Sequence, residues 1–281
     1  MGLLSGIPAM AGADPHHLPE QPVAGAGAHF AWVVFDVLKK ELEERSNRKI
    51  ILSGRNSALG VGCRAGIKMA RQNQPGRETF GFVCCSLSKE EIRREGLIVY
   101  PLAKEPIMIL VNKTNKVDDL TADQVRGIFA GRITNWREVG GDNRPIVVIT
   151  RLHCKDRPGH WKRILPTKDR FRTERLNVKS AAEMIHRVND FPGALGHTGS
   201  TWKFQKHDRV KIIRVNGYRP TAVNLRNGHY PFWRQLSAVT NRSPGKAVLA
   251  ILDSVKNGVS FRKVTALYQL VPLDEPPYSI P

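Results

Sequence analysis

Residues 106–151 read PIMILVNKTNKVDDLTADQVRGIFAGRITNWREVGGDNRPIVVITR. Residues 107–111 are a short apolar run rich in branched side chains, the pattern of a strand buried on both faces. Residues 112–119 are polar and turn-forming. Thr121 followed by Gln124 is a capping box, so a helix is predicted to start near Ala122. Val125, Ile128 and Phe129 make its apolar face, and Gly131 can end it in the left-handed conformation. Residues 146–149 are a second buried-strand run, with Thr150 and Arg151 at its C-terminal end. In open α/β sheets that end of a strand is where ligands bind.

Outward from this unit the same alternation continues. Residues 25–28 form a tight small-residue loop. Phe30, Val34, Leu38 and Leu42 recur at helical spacing up to about Arg45. Residues 49–52 read as a strand, residues 53–57 as a loop, and Leu59, Cys63, Ile67 and Ala70 as the inner face of the next helix. Residues 80–85 are another strand, followed by a capping box at Ser88 and Glu91. Residues 97–103 lead as a strand to a crossing at Pro106. Further helices are expected over residues 158–165, after Ser180 with Glu183, over 232–236 and over 246–255. A strand is expected at residues 194–197.

The chain has 281 residues, 41% of them hydrophobic, enough for two modest cores or one large one. No run of about 18 apolar residues is present, so no transmembrane helix is expected. The net charge is +19 and the pI about 10.2, a field that attracts anions, acidic surfaces or nucleic acid. Nine Lys or Arg stand against three Asp or Glu between Arg151 and Arg175, so the excess is local as well as global. Interleaved aromatics, zinc spacing and an RNA-binding signature are missing, which argues against nucleic acid. Residues 1–13, MGLLSGIPAMAGA, lack a basic leading region, yet Ala9-Met10-Ala11 and Ala11-Gly12-Ala13 look like small-residue cleavage sites. They read as the end of a signal peptide that starts upstream of Met1, or else as a disordered leader. No Ser/His/Asp order, H-E-x-x-H pair or P-loop is visible, so no enzyme is expected and no cofactor. His153, His160 and His197 read as surface or cleft-wall residues.

The ordered positions of the opening stretch resemble the phosphate-binding proteins of bacterial ABC importers. They are Val111, Asn112 and Asn115; the run LTADQVRGIFAGRITNWREVGG from Leu120; and PIVVITR ending at Arg151. Weaker similarity extends through GAGAHF (from Gly25), SGRNSALG (from Ser53), PGALGH (from Pro192), VNGYRPT (from Val215) and NGHYPFWRQL (from Asn227). The resemblance implies an α/β, two-lobed type II periplasmic binding protein with a ligand cleft between mixed sheets flanked by helices. It implies a signal-peptide remnant and linker at 1–22, lobe 1 at 23–106, lobe 2 at 107–211, a return to lobe 1 at 212–271 and a proline-rich tail at 272–281 with little power to fold. The role implied is that of an exported, periplasmic, monomeric solute-binding protein that hands a small inorganic oxyanion to an ABC permease. A repurposed sensor, or a redox or soft-metal-binding protein, is the other reading.

An enclosed anion is held by helix-start amides, hydroxyls and at least one Arg. The resemblance places Ala28, His29 and Phe30 in the first binding loop, with His29 in a hydroxyl position. It places Asn56 and Ser57 in the second, where Ser57 is either a ligand or only a helix cap. Arg151 matches the family's anion-binding Arg. The Gly-Ser-Gly-Thr turn that usually follows is replaced by Leu152, His153, Cys154, Lys155, Asp156, Arg157 and Pro158, with no hydroxyl. Lys155 and Arg157 can offset the charge of Asp156. The family's phosphate-proton acceptor, an Asp, corresponds to Cys84. Cys63, Cys84, Cys85 and Cys154 leave three readings open: small buried hydrophobes, a structural disulfide such as Cys63 with Cys84 or Cys85, or a soft-ligand or redox site with His29 or His153.

Overall fold

In the computed structural model the described residues are 21–53, 62–154, 160–202 and 209–281. The first part of the chain runs β1 (Val23–Gly27), α1 (Phe30–Ser46), β2 (Ile50–Leu52), α2 (Gly62–Arg71), β3 (Thr79–Val83), α3 (Lys89–Glu95) and β4 (Leu97–Asn112). It continues through β5 (Asp119–Leu120), α4 (Ala122–Ala130), β6 (Val147–Thr150), β7 (Leu176–Asn177), α5 (Ala181–Asp190), β8 (Ala194–Gly199), β9 (Val210–Ile212), β10 (Arg214–Val215) and α6 (Ala222–Arg226). The last elements are β11 (Trp233–Asn241), α7 (Lys246–Asn257), α8 (Val259–Leu267), β12 (Val271–Pro272) and β13 (Tyr278–Ser279).

The strands follow the order β2-β1-β3-β11-β4-β8-β6-β7. β1 runs parallel to β2 and β3, and β6 runs parallel to β8 and β7. β11 is antiparallel to both β3 and β4. β4 joins two regions: its first half pairs with β11 and its second half with β8 and β9. The core divides at the same place. One apolar cluster gathers α1, α2, β3, β11 and α7 around Phe35, Phe80, Phe82 and Val248. A second gathers Ile107, Ile109, Val125, Phe129, Trp136 and Phe232, and a third packs Met184, Ile185 and Val188 on the opposite face of β4. These are the two lobes of a mixed α/β fold.

The helix starts follow the sequence chemistry. Thr121 Oγ1 accepts from the Gln124 amide while Gln124 Oε1 accepts from the Thr121 amide, and Gly131 closes α4 at φ 82°. Ser88 and Ser180 accept from the amides of Glu91 and Glu183. α2 lies directly on β3, where Gly66 and Gly81 meet so closely that a Cβ on either would overlap the other segment's backbone.

Several expectations differ from the structure, among them residues 25–27, expected in a loop but part of β1, and the helix expected over 158–165, which in its described part is a 3₁₀ turn, His160–Arg163. The strand that was to end before Pro106 runs unbroken to Asn112, because Pro106 faces Trp233 at the start of β11 and Ile107 resumes donation to the Phe232 carbonyl. Of residues 232–236, expected as a helix, Trp233 onward opens β11, where pairing with β4 outweighs the helix-like apolar spacing. The return to the first cluster was placed at residue 212, but Ile213, Val215, Tyr230 and Phe232 pack in the second, and re-entry comes with Trp233. The proline-rich tail pairs with the first half of β4 through Val271, Pro272, Tyr278 and Ser279, covering an edge that would otherwise leave backbone groups open.

Candidate functional site

Three strands deliver the site from their C-terminal ends, the parallel pair β1 and β3 from one lobe and β6 from the other. β1 ends at Gly27, whose φ of 140° and closeness to the Phe82 backbone exclude a side chain. The pairing runs one residue further, so the Ala28 amide donates to the Phe82 carbonyl at 3.0 Å and is not available to a ligand. Phe30 buries its ring in the core against Phe82, with centroids 5.7 Å apart. Of the first loop this leaves the start of α1 at His29 and the His29 ring. The ring stacks on Trp202 from the other lobe at 3.8 Å, with the planes 11° apart. Burial pushes the His29 imidazole down to about 4, Glu105 opposing and Arg234 assisting, so it is neutral at pH 7.

β3 ends in Cys84, and β6 ends in Arg151. The Arg151 guanidinium is partly buried, donates from Nε to the Lys179 carbonyl at 3.3 Å and faces Cys84, Cys154 and Cys85. Burial lowers its affinity for a proton, yet a guanidinium remains cationic. His29, Cys84 and Arg151 are thus brought together. Asn56, Ser57, Lys155, Asp156 and Arg157 lie outside the described residues.

Behind them stands a buried polar chain. Glu105, in the middle of β4, pairs with Arg234 of β11 and accepts from the Thr201 hydroxyl at 2.7 Å and the Thr201 amide at 2.9 Å. Arg234 also reaches His160 Nδ1 at 3.3 Å, and His160 Nε2 meets His197 Nδ1 at 2.9 Å. Arginine can only donate, which fixes the tautomers: His160 accepts at Nδ1 and donates from Nε2 to His197 Nδ1. The His197 proton then sits on Nε2, an atom with no hydrogen-bond partner among the described residues. Burial drives both imidazoles down, His197 to about 3. Both histidines, expected on the surface or the cleft wall, are buried, and His160 lines the cleft. Burial also disfavours the Arg234 charge, but Glu105 more than offsets this.

Beside this chain opens a cleft of ≈ 300 Å³ lined by Cys84, Cys85, Ser86, His160, Lys162, Arg163 and Arg234. Arg163 is held over the Trp233 ring at 4.4 Å. The arrangement offers several cations, and among the described residues no base is poised against a nucleophile. The four cysteines are thiols rather than disulfides. Glu105, Arg234 and Trp202 were not singled out in the sequence. Glu105 and Arg234 were legible only as opposite charges inside apolar strands, and that signal was lost when the Arg234 segment was read as a helix.

A family model for the PBP superfamily domain matches residues 57–253. The phosphate-binding protein PstS of Bacillus subtilis is 27% identical over 170 residues, covering 60% of this chain and 55% of that protein. PstS of Borreliella burgdorferi is 27% identical over 176 residues, covering 59% of this chain and 63% of that protein. The chain thus spans less than two thirds of the length of these relatives. Among solved structures, a substrate-binding protein from Clostridium perfringens with bound phosphate superposes with a TM-score of 0.75 at 23% identity, over 90% of this chain and all of that one. An ABC-type phosphate transport receptor from Vibrio cholerae gives 0.66 at 23% identity, with 90% of this chain and 100% of that chain covered. With a two-lobed fold and a family model that matches residues 57–253, the chain belongs to the PBP superfamily.

Proposed function

We propose that this chain is an exported solute-binding protein that captures a small, phosphate-like oxyanion between its lobes and delivers it to an ABC permease. The observation that carries this reading is Arg151, just past the C-terminal end of β6, near His29 at the start of α1. Amides at a helix start and a guanidinium together hold an anion without needing a counter-charge on the ligand. The surrounding Lys162, Arg163 and Arg234 reinforce the positive potential. The names of the matched relatives supply the transport role. The anion is bound and released unchanged, by closure of one lobe on the other about the β4 and β11 crossings. The protein works as a monomer in the periplasm.

A thermal-shift screen of phosphate, arsenate, sulfate and molybdate tests this directly. At least one should raise the melting temperature in a concentration-dependent way, by the mass-action stabilisation expected of a ligand that binds only the folded state. A flat response to all four would count against the oxyanion reading.

A further inference from the structure

Four thiols that the oxyanion role does not require converge at these strand ends. Cys63 comes from the first turn of α2, Cys84 and Cys85 follow β3, and Cys154 follows β6 in the other lobe. The sulfurs of Cys63 and Cys84 are 3.8 Å apart, and those of Cys85 and Cys154 are 3.1 Å apart. The sulfurs of Cys63, Cys85 and Cys154 all lie within 4.8 Å of one another. With zinc–sulfur bonds of about 2.3 Å, a tetrahedral ion needs neighbouring sulfurs roughly 3.8 Å apart. For Cys63, Cys85 and Cys154 small adjustments of side chains already in place would provide that, with Cys84 joining from beside Cys63.

Three further features suit a metal. His153 offers a ring nitrogen within 4.8 Å of the sulfurs of Cys84 and Cys85. Its Nδ1 donates to the Arg151 carbonyl at 3.1 Å, which leaves the Nε2 lone pair for a ligand, the outer bond typical of metal-binding histidines. Arg151 and Arg234 supply positive charge that offsets clustered thiolates. The cleft lined by Cys84 and Cys85 gives an ion a way in. Cys154 is also held at φ 58°, a conformation unusual for a residue with a side chain. Cysteines serving only as small apolar fillers would not need to meet from three separate segments and two lobes.

We propose that Cys63, Cys84, Cys85 and Cys154, with His153 beside them, form a site for one thiophilic d10 cation, Zn²⁺ or Cu(I). Binding displaces the thiol protons to solvent, and the metal keeps its oxidation state. Thiolates select soft cations of this kind over hard ones. The site is independent of whether the cleft also binds an oxyanion.

The test uses the whole chain, reduced and stripped with a chelator. It is titrated with Zn²⁺, and separately with Cu(I) under anaerobic conditions, each against a chromogenic competitor. Co²⁺ serves as a spectroscopic stand-in for Zn²⁺. One ion per chain should survive gel filtration, and Co²⁺ should give the absorption of a thiolate-bound ion. Cys63→Ser and Cys154→Ser should each weaken retention about tenfold or more. The competition decides between Zn²⁺ and Cu(I), and either supports the site. The proposal is overturned if the reduced parent retains no more metal than a variant with all four cysteines changed to serine. It is equally overturned if the protein purifies with two disulfides and takes up no metal once reduced. The Co²⁺ spectrum of the parent needs no variant, so a misfolded mutant leaves the test intact.

Discussion

Cys84 occupies the place where an acceptor for a phosphate proton would be expected. A protonated thiol is a poor acceptor, so it imposes no penalty on an anion that carries no proton. Among the described residues the buried carboxylate in reach, Glu105, is already engaged by Arg234 and Thr201. The cleft should therefore bind phosphate and sulfate with affinities within about tenfold of each other. Competitive titration of one against the other measures this, and submicromolar phosphate binding that survives excess sulfate would overturn it. If Asp156 replaces the missing acceptor, Asp156→Asn should abolish such selectivity.

His29 makes a second prediction at this scale. Its imidazole falls from 6.5 in the unfolded chain to about 4 in the fold. Between those values the unfolded chain carries a proton that the folded chain does not. Stability therefore rises with pH across this window and is lost as the pH falls from 6.5 toward 4. The slope from one such group is at most about 1.4 kcal/mol per pH unit. His29→Phe keeps a ring against Trp202 but has nothing to protonate. Its melting temperature should fall less steeply over pH 6.5 to 4 than the parent's, and parallel curves would rule out the assignment.

At the scale of elements, the contact between α2 and β3 sets the site, because it places Cys63 beside Cys84. The Cys84 amide donates to the Cys63 sulfur at 3.2 Å, and the two segments approach at Gly66 and Gly81. Gly81→Ala would drive a methyl into the Gly66 backbone, a change expected to cost about 2–3 kcal/mol of stability through overpacking. Thr121→Ala, which removes one half of the α4 capping box far from the cleft, should cost only about 1 kcal/mol. Denaturant titrations of both variants compare the two effects; a Gly81 variant no weaker than the Thr121 variant would show that the contact can relax. Local chemistry made the capping boxes, the apolar face of α4 and the left-handed Gly131 legible in the sequence. β11 and the C-terminal tail were not, because their pairing partners lie more than a hundred residues away. Pro106 gave the impression of a broken strand. In the structure the register between β11 and β4 shifts beside Pro101, a local irregularity at a residue that has no amide to donate.

At the scale of the whole molecule, the cleft is bounded by contacts from opposite lobes: His29 on Trp202, and Cys85 beside Cys154. Arg151 was legible because a strand end is a local feature that the opening stretch displays, and Cys84 only through the family resemblance. The convergence of Cys63, Cys85 and Cys154, and the chain from Glu105 through Arg234 to His160 and His197, were not. They exist only once the lobes face each other across the β4 and β11 crossings. The central claim is that this shared surface holds an oxyanion through Arg151. Isothermal titration calorimetry tests it most directly, with the most stabilising oxyanion titrated into the parent and into Arg151→Ala. The account predicts a single site in the parent and a loss of about 2–4 kcal/mol in the variant, the range for removing one side of a buried charged hydrogen bond. Equal affinities in the two proteins would contradict it.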